Sequence, residues 1–291
     1  MTSDIFSKAF HVVKDSPFIT LYFVLYLIIL FLIIPVMLAG GNIFLRSILS
    51  VLSLLLTCAF MAGWFGMIKT AVITYKKDKT PEEKLEEAVR LKNNFFCSVS
   101  NYILPVILGF VVFVALLYLH SYLSDILFGK IDNVLEDISK YSNNQEAFKT
   151  YLLTLPESVW STIIKKVTFS YVICSFITMA YLFFAASLYL NKKCTLNPIY
   201  AVGGAAKTMF QRFFETVIIF IFLIVLNFVL MSLQAFYIDN VVISFVTMIL
   251  RIYFAAYIIV LIFDLYEQNQ KDLPSDCCDR ADCIRKDDLS D

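Results

Sequence analysis

The amino-acid sequence predicts an all-α fold, a polytopic transmembrane bundle of six spans with both termini in the cytoplasm. Three observations predict it. Of 291 residues, 59% are hydrophobic and 16% charged, with a mean hydropathy of +0.76, where a soluble domain carries about a quarter of its residues as Asp, Glu, Lys and Arg. The apolar residues gather in runs longer than the roughly 18 that separate a membrane span from a buried core helix. Lys and Arg collect on alternate connections between those runs. This is not the composition of an ordinary cytosolic enzyme.

Runs able to cross a hydrocarbon core of about 30 Å at about 1.5 Å per residue lie near residues 18–39, 47–72, 103–127, 166–190, 214–237 and 241–265. The first is too long for a signal-peptide core and ends in Ala39-Gly40-Gly41 without a cleavage pattern, so it reads as an uncleaved span. Tyr102, Tyr118, Tyr122, Trp160, Tyr237 and Tyr266 mark span ends as aromatic belts do. Direction follows from the cations. Lys8, Lys14, Lys76, Lys77, Lys79, Lys84, Arg90, Lys92, Lys192, Lys193, Lys207, Arg212 and Lys271 fall on one side, with Arg280, Arg285 and Lys286 in the tail. The short connections of the other side offer only Arg46, so the first side is cytoplasmic. A plasma (inner) membrane is the expected location, and that of a bacterium the simplest.

Each odd-numbered span is preceded by an amphipathic segment, dividing a membrane domain of residues 1–271 into three loosely repeated units near 1–79, 80–194 and 195–271. In the middle unit Thr80-Pro81-Glu82-Glu83 reads as a capping box, with Thr at the N-cap and Pro at the first helical position. Leu85, Ala88, Val89, Phe95 and Phe96 then mark one face. In the third unit Asn197-Pro198 opens a segment with Ile199, Val202, Ala206, Met209 and Phe213 on a comparable stripe. Laying Pro81 on Pro198 superposes Ala88 on Ala205, Arg90 on Lys207 and Phe96 on Phe213. The N-terminal version carries Ile5, Phe6, Ala9, Phe10 and Val13 with Lys8 and Lys14. Such helices either brace the following span or lie in the interface with their cations at anionic headgroups. Gly203-Gly204 implies a break or a close helix contact. Residues 128–165 are expected to form two short extracytoplasmic helices, and residues 272–291 a disordered cytoplasmic tail.

Among ionisable groups Arg251 stands out, about ten residues into the sixth span, where it must face the bundle rather than lipid. Its candidate partners are Asp125, His120, Asp239 and Asp264. Arg251, with Arg90, Lys92, Lys207 and Arg212, makes up the candidate anion or lipid contacts. Lys69 and Asp264 sit at inner span ends, where snorkelling explains them, and Glu215 opens the fifth span. His120 and His11, the two histidines, fall on opposite sides of the membrane and cannot share a metal. No disulfide framework is implied, since none of the seven cysteines falls in an outside loop. The tail cysteines Cys277, Cys278 and Cys283 lack the paired spacing of a zinc site. Balanced charge, 24 basic against 24 acidic residues, gives no field for nucleic acid. No nucleophile elbow, zinc-protease motif, phosphate loop or dinucleotide fingerprint is present, so no catalytic residue, metal or cofactor is expected.

The stretch from Asn197-Pro198 to Lys207, Phe213-Phe214 opening an apolar span, and the last span running from Tyr253-Phe254-Ala255-Ala256 to Tyr266 resemble a group of uncharacterised prokaryotic six-helix membrane proteins. That group is similar to the membrane domain attached to some glycerophosphodiester phosphodiesterases. The resemblance implies a helical membrane domain. It carries over no catalytic residue, because the soluble phosphodiesterase domain has no counterpart here. The expected function is non-enzymatic, organising membrane lipids or partner proteins, self-association included. The alternative is a transporter or lipid-handling protein with an anion or headgroup site at Arg251.

Overall fold

The computed structural model describes residues 2–39, 43–76, 80–129, 150–151, 154–191, 197–236 and 241–271. Eight helices follow in order among them: α1 (Thr2–Asp15), α2 (Pro17–Ala39), α3 (Ile43–Ile73), α4 (Pro81–Phe128), α5 (Glu157–Leu190), α6 (Pro198–Gln211), α7 (Phe213–Phe236) and α8 (Val241–Lys271). The described residues contain no strand. Six helices, α2 to α5, α7 and α8, are long and apolar enough to cross a membrane, which is the architecture of a multi-pass membrane protein.

Local chemistry sets the boundaries. Ser16 and Pro17 separate α1 from α2, Pro17 taking the first helical position, where its missing N–H is not needed. The capping box at α4 forms as the sequence predicts: the Glu83 N–H donates to Thr80 Oγ1 at 3.3 Å, and the Thr80 N–H donates to Glu83 Oε2 at 2.8 Å. Asn197 caps α6, accepting from the Ile199 N–H at 3.0 Å, and Arg212 (φ −110°, ψ 43°) ends it before α7.

One expectation about extents needs correction. The amphipathic segment before the third span is not a separate helix but the first turns of the 48-residue α4, about 72 Å long, because no helix-breaking residue stands between the capping box and Pro105. Helix α5 begins at Glu157, so the last residues of the expected segment 128–165 are its first turns. Residues 130–149, the tail and Asp239 lie outside the described residues, and with them the whole of the first short helix expected in that segment.

The chain forms two compact units, one of residues 1–111 with 180–291 and one of residues 112–179. In the larger unit the core lies where α3, α5 and α8 finish and α2 and α4 begin. Trp64, Phe65, Phe183, Phe263 and Tyr266 are fully buried there. The Phe65 ring meets Tyr189 at 6.0 Å and Phe263 at 5.9 Å, and the Tyr189 hydroxyl donates to the Ala62 carbonyl at 2.7 Å. Glycines let α3 and α4 approach: a Cβ on Gly63 would lie 2.5 Å from the Phe95 ring, and one on Gly66 1.9 Å from Ser98 Oγ. The opposite ends of α3 and α8 expose large apolar side chains such as Phe44, Val51, Val242 and Phe245. In the smaller unit Lys166 Nζ donates to Asp125 Oδ1 at 2.5 Å, and His120 is buried with its ring 5.2 Å from Phe169.

Candidate functional site: a polar junction around the end of α8

The last turns of α8 read Asp264-Leu265-Tyr266-Glu267-Gln268-Asn269-Gln270-Lys271. At 100° per residue, Asp264, Glu267, Gln268 and Lys271 share one face, and Tyr266, Asn269 and Gln270 the opposite one. One polar face holds α1, and the other holds α5 and α6.

On the first face α1 docks. Lys8 Nζ donates to Asp264 Oδ1 and lies 3.5 Å from Glu267 Oε2. Gln268 Nε2 donates to Asp264 Oδ2 at 2.9 Å, and Lys271 Nζ sits 2.8 Å from Glu267 Oε1. Asp264 is 1% exposed, so it does not snorkel: α8 continues six residues past the expected span end, and α1 lies over the carboxylate. Burial works against the Lys8 ammonium, but the hydrogen bonds and charges of Asp264 and Glu267 outweigh it and hold Lys8 above its ordinary range. The apolar side chains of α1, Ile5, Ala9, Val12 and Val13, are buried beside this pair. The Tyr257 hydroxyl donates to the Phe6 carbonyl at 3.3 Å. Most of the α1 stripe therefore packs into the bundle, while Phe10 at its edge stays exposed.

On the second face α5 and α6 meet α8. Tyr266 and Ser187 share a hydrogen bond at 3.0 Å, and Gln270 Nε2 donates to the Tyr266 hydroxyl at 3.1 Å. Asn269 Nδ2 donates to Thr208 Oγ1 at 3.1 Å and to Gln211 Oε1 at 3.0 Å. The glycine pair of α6 divides here without breaking the helix. A Cβ on Gly204 would lie 2.3 Å from Ser187 Oγ and 2.8 Å from the Tyr266 hydroxyl, whereas one on Gly203 would meet nothing within 4 Å. Gly204 thus admits the polar junction against the backbone of α6.

The five cations singled out from the sequence are not gathered at this junction. Arg251 lies about 20 Å up α8 from Asp264 at 1.5 Å per residue, on the face that carries Phe254, whose ring meets Phe222 of α7 at 6.2 Å. Its expected partners are engaged elsewhere, Asp264 by Lys8 and Asp125 by Lys166. The Nε of Arg251 is buried without a hydrogen-bond partner, and so is that of Arg90. Lys92 and Lys207 are exposed, and Arg212 Nη1 lies 3.5 Å from Glu215 Oε1. A groove of about 350 Å³ between α2 and α8 is lined by Phe18, Leu21, Val24, Ile249, Ile252 and Tyr253, on the side of α8 turned away from Arg251.

Sequence reasoning missed Lys8 as the partner of Asp264 and Lys166 as the partner of Asp125. The signal available was the polar run closing the sixth span, too long for one snorkelling carboxylate. Cys58 and Cys174 are free thiols. Among the described residues no three His, Cys, Asp or Glu side chains are placed to hold a metal ion. Compared with protein-family models, curated proteins and solved structures, the chain matches none.

Proposed function

We propose that the protein is a non-enzymatic integral membrane protein that organises lipids or partner proteins in a plasma (inner) membrane, with both termini cytoplasmic. The observation behind this reading is the use made of its charges. Lys8, Asp264, Glu267 and Lys271 bind one another across α1 and α8, as Lys166 and Asp125 do between α4 and α5. Ionisable groups engaged in this way fasten helices, whereas a membrane enzyme needs them free at one depth. The reading in three helix-span-span units belongs with it, α1 and α6 being short helices that each introduce a span.

Orientation rests on the excess of Lys and Arg on the side of α1 and α6. Labelling Cys97 with an impermeant maleimide in intact cells, in a variant whose other six cysteines are replaced by Ser, tests the choice: labelling from outside reverses the topology.

A second reading, transport or lipid handling, is favoured by one observation, the partnerless Nε of Arg251, ten residues into α8. An Arg at this depth calls for a carboxylate, carbonyls or an anion. Mass spectrometry of what stays bound in mild detergent, wild type against Arg251→Ala, separates the two. One anionic lipid or solute lost in the variant establishes the second reading, and bulk lipid or a protein partner retained in both supports the first.

A further inference from the structure

The outward face of α6 carries an interaction surface of its own. Ile199 and Phe210 are each 79% exposed and Val202 58%, and at 100° per residue they fall on one stripe with Ala206. The opposite face, with Ala201, Ala205 and Thr208 buried, holds α6 on the polar junction. The helix has therefore turned its small side chains inward and its large apolar ones outward, the reverse of a helix at a water-facing surface.

What covers the stripe follows from its continuation. Only Arg212 interrupts the helix before α7, and the outward apolar surface runs on through Phe213, Phe214, Ile218 and Ile221, all exposed, along a helix apolar enough to cross a membrane. The medium that solvates α7 therefore meets α6 as well. Along one edge of the stripe stand Tyr200 and Lys207, both exposed. A phenol and an ammonium on apolar stems are the side chains that settle at headgroup depth.

We propose that α6 lies in the interfacial layer of the bilayer, with Ile199, Val202 and Phe210 in the outer part of the acyl chains and Lys207 at the phospholipid phosphates. The inference rests on the reading of α7 as a span. It assigns α6 a lipid surface as its partner, and gives no such role to α1, whose Ile5, Ala9, Val12 and Val13 are buried.

The test is tryptophan quenching in proteoliposomes of phospholipids brominated at shallow or deep acyl positions, against acrylamide in the water, with the wild-type signal of the two native tryptophans subtracted. Phe210→Trp is expected to be quenched by shallow bromines at least twice as strongly as by deep ones and little by acrylamide. Val225→Trp, on an exposed position in the middle of α7, is expected to be quenched by the deep bromines. Quenching of Phe210→Trp by acrylamide alone, or by neither reagent, overturns the lipid assignment and puts water or another protein on that face. Loss of deep quenching at Val225→Trp overturns instead the spanning reading beneath it. Lys207→Glu, added to Phe210→Trp, is expected to reduce the shallow quenching. An unchanged signal removes the phosphate contact from the proposal.

Discussion

α1 and α6 are each fourteen residues long, each is separated from the next span by a single residue, and each carries a lysine in its middle. They bury opposite kinds of face. α1 puts its branched side chains into the bundle and draws Lys8 in with them, while α6 puts in Ala201, Gly204, Ala205 and Thr208 and leaves Lys207 outside. The difference lies in what the end of α8 offers each helix. One face presents Asp264 and Glu267, which compensate a buried ammonium. The other presents the bulky Tyr266, joined to Ser187, and leaves room for small side chains only. An amphipathic pattern shows that a helix has two faces, and the neighbour decides which one is buried.

The widest separation between the two helices is expected from matched truncations. Ile5→Ala removes a side chain that is 2% exposed and is expected to cost about 2–5 kcal/mol, while Ile199→Ala stays within about 0.5 kcal/mol. Thermal unfolding of both variants in detergent checks this. Equal losses would remove the contrast.

Next comes the ion pair. Asp264→Ala leaves Lys8 with Glu267 alone and is expected to cost about 2–3 kcal/mol, less than a fully buried pair because Lys8 keeps some access to solvent. Limited proteolysis should then cut within α1 before any other helix. The charge swap Lys8→Asp with Asp264→Lys should recover part of the stability if the pair itself holds α1, and none if only the shape of Asp264 matters.

A smaller effect is expected inside α6. Gly204→Ala drives a methyl into Ser187 and Tyr266 and is expected to cost about 1–3 kcal/mol. Gly203→Ala, with open space around it, should be neutral or stabilising by up to about 1 kcal/mol. The two melting curves, measured side by side, show whether α6 docks by the Gly204 face.

The smallest effect is in the pH dependence of α1. Lys8 has its pKa raised in the folded protein, so its contribution is fully present below the ordinary lysine value of about 10.4 and is lost as pH rises through the raised one. Unfolding midpoints should therefore fall at alkaline pH more steeply in wild type than in Lys8→Met. Identical slopes would mean that Lys8 titrates as it does unfolded.

Much of the architecture is legible in the sequence. Spans one, two and five agree with α2, α3 and α7 to within a few residues, because a long apolar run needs no partner to declare itself. The caps at Thr80 and Asn197 are equally local, each requiring only the next two or three residues. The third span's start was not legible: with no helix breaker after the capping box the amphipathic turns run on into the span, and there Phe95 and Ser98 pack against α2 and α3. The junction was the least legible part. Lys8 and Asp264 are 256 residues apart, and nothing near either names the other.

The sequence alone determined that this chain is helical, that six of its helices are apolar enough for a membrane, and where the two short helices α1 and α6 introduce spans. These follow from periodicity and run length, which each segment carries within itself. Only the tertiary structure decided that α1 is clamped by its lysine while α6 turns its phenylalanine outward, that Asp264 and Asp125 are engaged by Lys8 and Lys166, and that Arg251 keeps a partnerless Nε. Charge pairing and the choice of buried face depend on which neighbours reach the same depth, and that is a property of the packed bundle.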